Sequence, residues 1–287
     1  MEASTAEGAQ RVEPPARRPY DRDTVPNSAG AAAYAAEFLG TLMLVFVVAM
    51  VVIVNSGAGL GVTDWSVIGL VHTFVLMMLI YSLGGVSGAH FNPAVTIALA
   101  MGRKIRAADG AIYIVVQILG GVAGAFLAKL LLDDEGSAVN YATPSVADAP
   151  EVPPAQPGVP PAADQGTDWL GGKALGGMFT EALGTFFLMW AIMAAAVNPR
   201  ASRHWAGLII GGTLGTMVMI LGPLTGAGFN PARSIGPGVV NDFEIPNLLA
   251  YGLGPIVGAI LAYVLYTVIV LKPEDRDPGE RPVDKLD

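Results

Sequence analysis

The 287-residue chain contains no cysteine, only three histidines and few charges. Without a thiol there is no disulfide, no thiolate metal site and no cysteine chemistry, and cysteine usage gives no clue to a redox compartment. Asp, Glu, Lys and Arg make up 14 % of residues against 53 % hydrophobic, and the mean hydropathy is +0.53. A soluble domain covers its surface with about 25–35 % charged residues, so this scarcity argues against a soluble enzyme or a nucleic-acid binder. The net charge of −8 comes mostly from tails and one long loop, which reads as solvated charge and not as a docking face for cations.

What the chain has instead is apolar length. Runs near Ala31–Val54, Trp65–Leu83, Ala111–Leu132, Leu175–Val197, Trp205–Leu221 and Leu248–Leu271 each suffice to cross a ~30 Å hydrocarbon core as a helix. These six runs predict an all-α membrane protein. Arg103, Lys104 and Arg106 lie between spans two and three, and Arg200 and Arg203 between spans four and five, so both connections are expected on the cytoplasmic side. The connections 55–64 and 241–247 hold Asp64, Asp242 and Glu244 but no Lys or Arg, as outer loops do. Both termini are then cytoplasmic, with Arg17, Arg18, Arg22 and Lys272 at the membrane edge. No apolar run precedes Ala31, so neither a cleavable signal peptide nor a twin-arginine signal is expected.

The organisation follows from these boundaries. Residues 1–30 read as a disordered cytoplasmic tail, 31–132 as a first three-span unit, 174–271 as a second and 272–287 as a cytoplasmic tail. Between the units, 133–173 is acidic and rich in Ala and Pro, with seven prolines, so an extracellular disordered loop is expected. A lid over an entrance is the sharper alternative for that loop.

Two apolar pieces, 92–102 and 230–240, are too short to span. Each begins in a similar way: Gly84-Gly85-Val86-Ser87-Gly88-Ala89-His90-Phe91-Asn92-Pro93-Ala94 aligns without gaps on Gly222-Pro223-Leu224-Thr225-Gly226-Ala227-Gly228-Phe229-Asn230-Pro231-Ala232. Seven of these eleven positions are identical, at an offset of 138 residues. Glu37-Phe38-Leu39-Gly40-Thr41 is likewise echoed by Glu181-Ala182-Leu183-Gly184-Thr185, at an offset of 144. The chain is a duplicated three-span unit, and because three is odd the second copy enters the membrane from the opposite face.

Asn followed by Pro opens a helix: Asn is a favoured N-cap, and Pro at the first position gives up only a donor that would be orphaned anyway. The glycines before it let the backbone turn without a Cβ penalty. Two such half-helices entering from opposite faces meet near the midplane, where irregular backbone survives only inside protein or beside a water-filled cavity. Their N-termini each carry about half a positive charge. A capping Asn spends its side-chain oxygen on the helix and leaves its NH₂ as a donor. Asn92 and Asn230 are therefore expected to welcome a lone pair and to repel a cation.

On these motifs, Ser87-Gly88-Ala89-His90-Phe91-Asn92-Pro93-Ala94-Val95-Thr96 and Thr225-Gly226-Ala227-Gly228-Phe229-Asn230-Pro231-Ala232-Arg233-Ser234, the chain resembles the aquaporin or major intrinsic protein family over residues 31–271. The resemblance implies an aquaporin-like right-handed bundle of six transmembrane helices plus two re-entrant half-helices. It also implies a homotetramer with a pore in each subunit and a cell-membrane location. The conducted molecules would be water and small neutral solutes, with no cofactor, no metal, no nucleic acid and no enzymatic chemistry.

The same resemblance carries over particular residues. Its pore motifs fall on Asn92, Pro93, Ala94, Asn230, Pro231 and Ala232, and its selectivity filter on His72, Val218, Ala227 and Arg233. Arg233 would cost several kcal/mol facing lipid and cannot deprotonate, so it faces water or protein as a fixed positive barrier. This is the barrier already attributed to aquaporin-type pores in general. His72 lies in an apolar run where a histidine often only satisfies a helix contact, and its filter role rests on the matched position. With an aliphatic at Val218, the filter looks more like that of plant tonoplast intrinsic proteins than that of ordinary water channels. Ammonia, hydrogen peroxide and urea are then candidate solutes beside water.

Glu37 and Glu181 are the acids well inside the spans. They could form a proton relay; the resemblance assigns them to bracing the half-helix loops, with His90 as a third loop-positioning residue. Lys129, near the outer end of span three, can snorkel, and His204 reads as an interface residue. The glycerol-conducting branch of the family has Asp where this chain has Ser234 and an aromatic-lined filter that Val218 and Ala227 do not supply. Tyr251-Gly252-Leu253-Gly254-Pro255 is intermediate between the branches. The alternatives to a water channel are thus a glycerol-conducting channel, an ion-coupled transporter, which also uses inverted repeats, and an adhesion protein built on the 133–173 loop.

Overall fold

The structure, a computed structural model, describes residues 29–57, 63–146, 173–243 and 247–276. Within them the regular structure is helical throughout. The helices are α1 (Gly30–Val52), α2 (Trp65–Ser87), α3 (Pro93–Met101), α4 (Ala107–Leu131), α5 (Asp133–Ser137), α6 (Lys173–Ile192), α7 (Ala206–Thr225), α8 (Pro231–Val240), α9 (Gly254–Ile269) and α10 (Pro273–Arg276). Among the described residues, six stretches are long and apolar enough to cross a membrane: Gly30–Ser56, Trp65–Ser87, Ala107–Leu131, Lys173–Val197, Arg203–Thr225 and Leu249–Ile269. Phe74, Phe126, Leu130 and Ile220 stay exposed on the outside of the bundle, which suits lipid as solvent.

The packing repeats the duplication. Helix α1 lies on α4 and α6 on α9, while α2 and α7 pack on each other across the two units. These approaches are close because small residues stand at the crossings. A Cβ at Gly120 would overlap the Phe38 carbonyl, and one at Gly258 the Ala182 carbonyl, so the same contact occurs at equivalent places in both units. Each half-helix also reaches into the other unit, α3 against α9 and α8 against α4.

Helices α2 and α7 run beyond the apolar stretches that announce them, to Ser87 and Thr225. What ends them is a left-handed glycine: Gly88 at φ 89° donates to the Gly84 carbonyl at 3.0 Å, and Gly226 at φ 71° to the Gly222 carbonyl at 2.8 Å. Helix α4 begins at Ala107, four residues before its apolar run, which brings Asp109 into its first turn. Tyr34 donates to that carboxylate at 2.7 Å, and the N-terminal dipole also favours it there.

The segment after α4 departs from the expected disordered loop. Residues 133–146 fold into α5 and a tight turn over Asn140–Ala142, with Tyr141 and Ala142 buried. The Tyr141 ring packs with Val45, Ala125 and Val240, so an aromatic in a polar stretch finds apolar cover on three helices. Residues 147–172 of that loop, with 1–28 of the expected N-terminal tail and 277–287 of the expected C-terminal one, lie outside the described residues, whereas Pro273–Arg276 of the latter form α10. Helix α10 is tied back by Arg200, whose Nε donates to Asp275 at 2.7 Å.

Candidate functional site

The two half-helices start in matched geometry. Asn92 and Asn230 both sit at φ −153° in extended backbone. The Asn92 side-chain oxygen accepts from Ala94 N at 2.9 Å, and the Asn230 oxygen from Ala232 N at 3.0 Å and Arg233 N at 3.3 Å. Pro93 and Pro231 take the first helical positions, and Ala94 and Ala232 are fully buried. The side-chain NH₂ groups do more than the sequence suggests. Asn92 Nδ2 donates to the Phe229 carbonyl at 2.9 Å and Asn230 Nδ2 to the Phe91 carbonyl at 2.8 Å, each closing on the opposite loop. An amide nitrogen carries two hydrogens, so each Asn retains one donor for the cavity that both line.

The loops leading into these caps use left-handed backbone at non-glycine residues. Ala89 and Phe91 have φ 53° and 47°, and Ala227 and Phe229 have φ 50° and 48°. Such conformations persist only where the surroundings hold them, and two buried carboxylates do so. Glu37 accepts from Ser87 Oγ (2.6 Å), His90 N (3.0 Å), Phe91 N (2.7 Å) and Gln117 Nε2 (2.7 Å). Glu181 accepts from Thr225 Oγ1 (2.6 Å), Gly228 N (2.9 Å) and Phe229 N (2.5 Å). Both carboxylates are completely buried, as a charge in this setting requires donors on its oxygens. Behind them Gly40 and Gly184 admit the Phe91 and Phe229 rings, which any Cβ there would overlap.

A cavity runs past both caps. Its polar lining includes Asn92, Asn230, His72, His90 and Arg233; Leu44, Val48, Leu76, Val95, Leu188 and Leu214 line it with apolar surface. Among the described residues, no Asp or Glu lines it. His72 is buried, with Nδ1 2.8 Å from the Ile68 carbonyl and Nε2 without a hydrogen-bond partner. Arg233, also buried, donates from one terminal nitrogen to the Ala142 carbonyl at 3.0 Å and approaches the Gly226 carbonyl with the other at 3.5 Å. It is therefore both tied to loop carbonyls and part of the lining. Ala227 joins it there, whereas Val218, wholly buried in the core, is not among the lining residues.

His90 lines the same cavity, its Nδ1 3.1 Å from Thr96 Oγ1 and its ring edge-on to Tyr113. Gln117 links Thr96 to Glu37 by donating to both. Tyr113 and Tyr251 donate to the Ser87 and Thr225 carbonyls at 2.9 and 2.7 Å, pinning the ends of α2 and α7. The 138-residue offset that relates the two motifs also relates Tyr113 to Tyr251, a signal of this pair that the sequence carries. Gln117 is matched at that offset by Pro255, so the repeat gives no signal for it. The role of Ala142 has no side-chain signal at all, since it acts through its carbonyl.

The comparisons with known proteins agree with this geometry. The family model for Major intrinsic protein matches residues 25–266. Aquaporin AqpM of Methanothermobacter marburgensis is 37 % identical over 253 residues, covering 80 % of this chain and 94 % of that protein. Glycerol uptake facilitator protein-like 6 of Lactiplantibacillus plantarum is 35 % identical over 230 residues, with the same coverage of 80 % and 94 %. Nodulin-26 of Glycine max is 34 % identical over 234 residues, 82 % of this chain and 76 % of that one. The aquaglyceroporin of Plasmodium falciparum, at 20 % identity, shares the fold with a TM-score of 0.62 over 82 % of this chain and 94 % of its own. With six membrane-crossing helices and family matches over most of its length, the chain belongs to the major intrinsic protein family and is a multi-pass membrane channel, not an enzyme.

Proposed function

We propose that the cavity is a passive pore for water that also passes ammonia, hydrogen peroxide or urea, that it excludes protons and ions, and that it disfavours glycerol. The observation that carries this reading is the meeting of both Asn-capped helix N-termini with Arg233 on a cavity that, among the described residues, no carboxylate lines. Two positive dipole ends and a permanent cation repel Na⁺ and H₃O⁺, while each Asn offers a donor to a passing oxygen or nitrogen lone pair. His72, Ala227 and Arg233 form the selective part, with one polar flank and one small residue. Val218 contributes as an aliphatic backing in α7 and not as a wall.

Glu37 and Glu181 brace the loops. Neither lines the cavity, and their oxygens are occupied by loop and side-chain donors, which speaks against a proton relay and hence against coupled transport. His90, held by Thr96 and edge-on to Tyr113, positions the first loop. A glycerol-conducting pore is the second reading, favoured by the mixture of names among the relatives. Against it stand Ser234 after Arg233 and the small, non-aromatic residue Ala227 at the filter. We further read the protein as a homotetramer in a cell membrane with both termini cytoplasmic, from the family likeness and from the Arg and Lys residues of the 102–106 and 198–203 connections.

The test is stopped-flow light scattering on liposomes carrying the protein. Fast osmotic shrinkage of low activation energy, slower glycerol entry and no proton or Na⁺ current are expected. A saturable flux driven by an ion gradient would overturn the channel reading, and glycerol entry as fast as water would replace it with the second one.

A further inference from the structure

The order in residues 133–146 has a direct line to the filter. Asn140, Tyr141 and Ala142 follow one another at φ 50°, 49° and 66°, a left-handed run that non-glycine residues keep only when their surroundings hold it. Tyr141 supplies the hold. Its hydroxyl donates to the Asp133 carboxylate at 2.5 Å, its ring lies 4.7 Å from Lys129 Nζ, and Gly136 leaves room for the ring where a Cβ would overlap it. Lys129 and Asp133 are themselves 3.9 Å apart. The bond to Asp133 also holds the Tyr141 phenol above its ordinary range. On the far side of this clamp, the next residue offers its carbonyl to Arg233 at 3.0 Å, across 91 positions of sequence.

We propose that Tyr141 is a selectivity-positioning residue: Asp133, Lys129 and Gly136 clamp its side chain so that the Ala142 carbonyl holds the Arg233 guanidinium where it narrows the pore against glycerol-sized solutes. The inference rests on the reading of Arg233 as a filter residue. Tyr141 touches no solute and acts through Arg233 alone. Releasing the clamp frees the guanidinium to swing, and the pore widens while its lining stays chemically unchanged.

The experiment compares glycerol and water permeability in liposomes containing the full chain, as Tyr141→Phe, Tyr141→Ala, Asp133→Ala, Arg233→Val and the Tyr141→Phe/Arg233→Val double variant. The ratio of the two permeabilities is independent of how much protein folds and inserts, so mere destabilisation does not move it. Tyr141→Phe and Asp133→Ala should each raise the glycerol-to-water ratio roughly threefold or more, on the scale of loosening one hydrogen bond to a charged group, and Tyr141→Ala should raise it further. The double variant should match Arg233→Val, because a residue acting only through Arg233 has nothing left to act on. A ratio that is unchanged or lowered in the Tyr141 and Asp133 variants while Arg233→Val raises it overturns the clamp and leaves the filter reading standing. Fully additive effects in the double variant also overturn it. No rise in Arg233→Val removes the filter reading, and the clamp with it.

Discussion

Asn92 donates its side-chain amide to the carbonyl of Phe229 at 2.9 Å, fastening the first half-helix to the second loop across 137 positions of sequence. The same side chain caps its own helix through its oxygen. One residue thus stabilises a helix start, joins the two repeats and leaves a donor for the pore.

Asn92→Asp should separate these tasks. A carboxylate still caps, but it loses the donor to Phe229 and places a negative charge among the pore-lining groups. Cation conductance measured across planar bilayers is expected to appear, with water permeability reduced. A variant as ion-tight as the parent would show that the amide hydrogens do not contribute to exclusion.

Arg233→Val removes the fixed positive charge from the lining and leaves the Ala142 carbonyl without its donor. Water flow should persist while glycerol entry rises and a pH-sensitive dye inside the vesicles reports proton leakage. Unaltered selectivity would refute the filter role.

His72→Phe should lower ammonia and urea flux relative to water, since the ring nitrogen left free by the Ile68 bond is lost and an apolar face replaces it. Stopped-flow permeability ratios for the three molecules decide the matter. Equal ratios in parent and variant would remove His72 from the filter.

Glu181→Gln exchanges an all-acceptor group for one with a single acceptor oxygen, facing three donors. At least one buried donor is left unpaired, at about 1–3 kcal/mol for each. Thermal unfolding in detergent, followed by intrinsic fluorescence, should shift several degrees downward, and more for Glu37→Gln, which faces four donors. A melting temperature equal to the parent's would mean that the loops hold themselves.

Gly184→Ala sets a methyl group against the Phe229 ring. Overpacking of this kind costs about 1–3 kcal/mol and displaces the ring whose backbone Glu181 and Asn92 grip. Lower thermal stability together with lower water permeability per inserted protein is expected, whereas Gly212→Ala, where a Cβ meets open space, should change neither.

Much of the architecture was legible because its signals are local. Hydrophobic runs announce spans whatever their neighbours, and Asn-Pro announces a helix start from two adjacent residues. The ends of α2 and α7 were less legible, since the helices continue past the apolar runs to left-handed glycines at 88 and 226. Asp109 gives no helix signal, because an acid there reads as the end of the apolar run, yet Tyr34 and the dipole accommodate it inside the helix. Tyr141 was read as part of an acidic, proline-rich loop, and only the cover offered by Val45, Ala125 and Val240 makes it a core residue.

The amino-acid sequence by itself determined the solvent, the six crossings, the duplication and the two Asn caps, because transfer into lipid and helix capping depend on a residue and its near neighbours. It also placed Glu37, Glu181 and Arg233 at depth, where a charge needs partners. Which partners those are was decided only by the tertiary structure. The Ala142, Phe91 and Phe229 carbonyls that receive Arg233, Asn230 and Asn92 are backbone groups, present at every position and distinguished by none. Only packing of distant segments brings one particular carbonyl within reach of one particular donor.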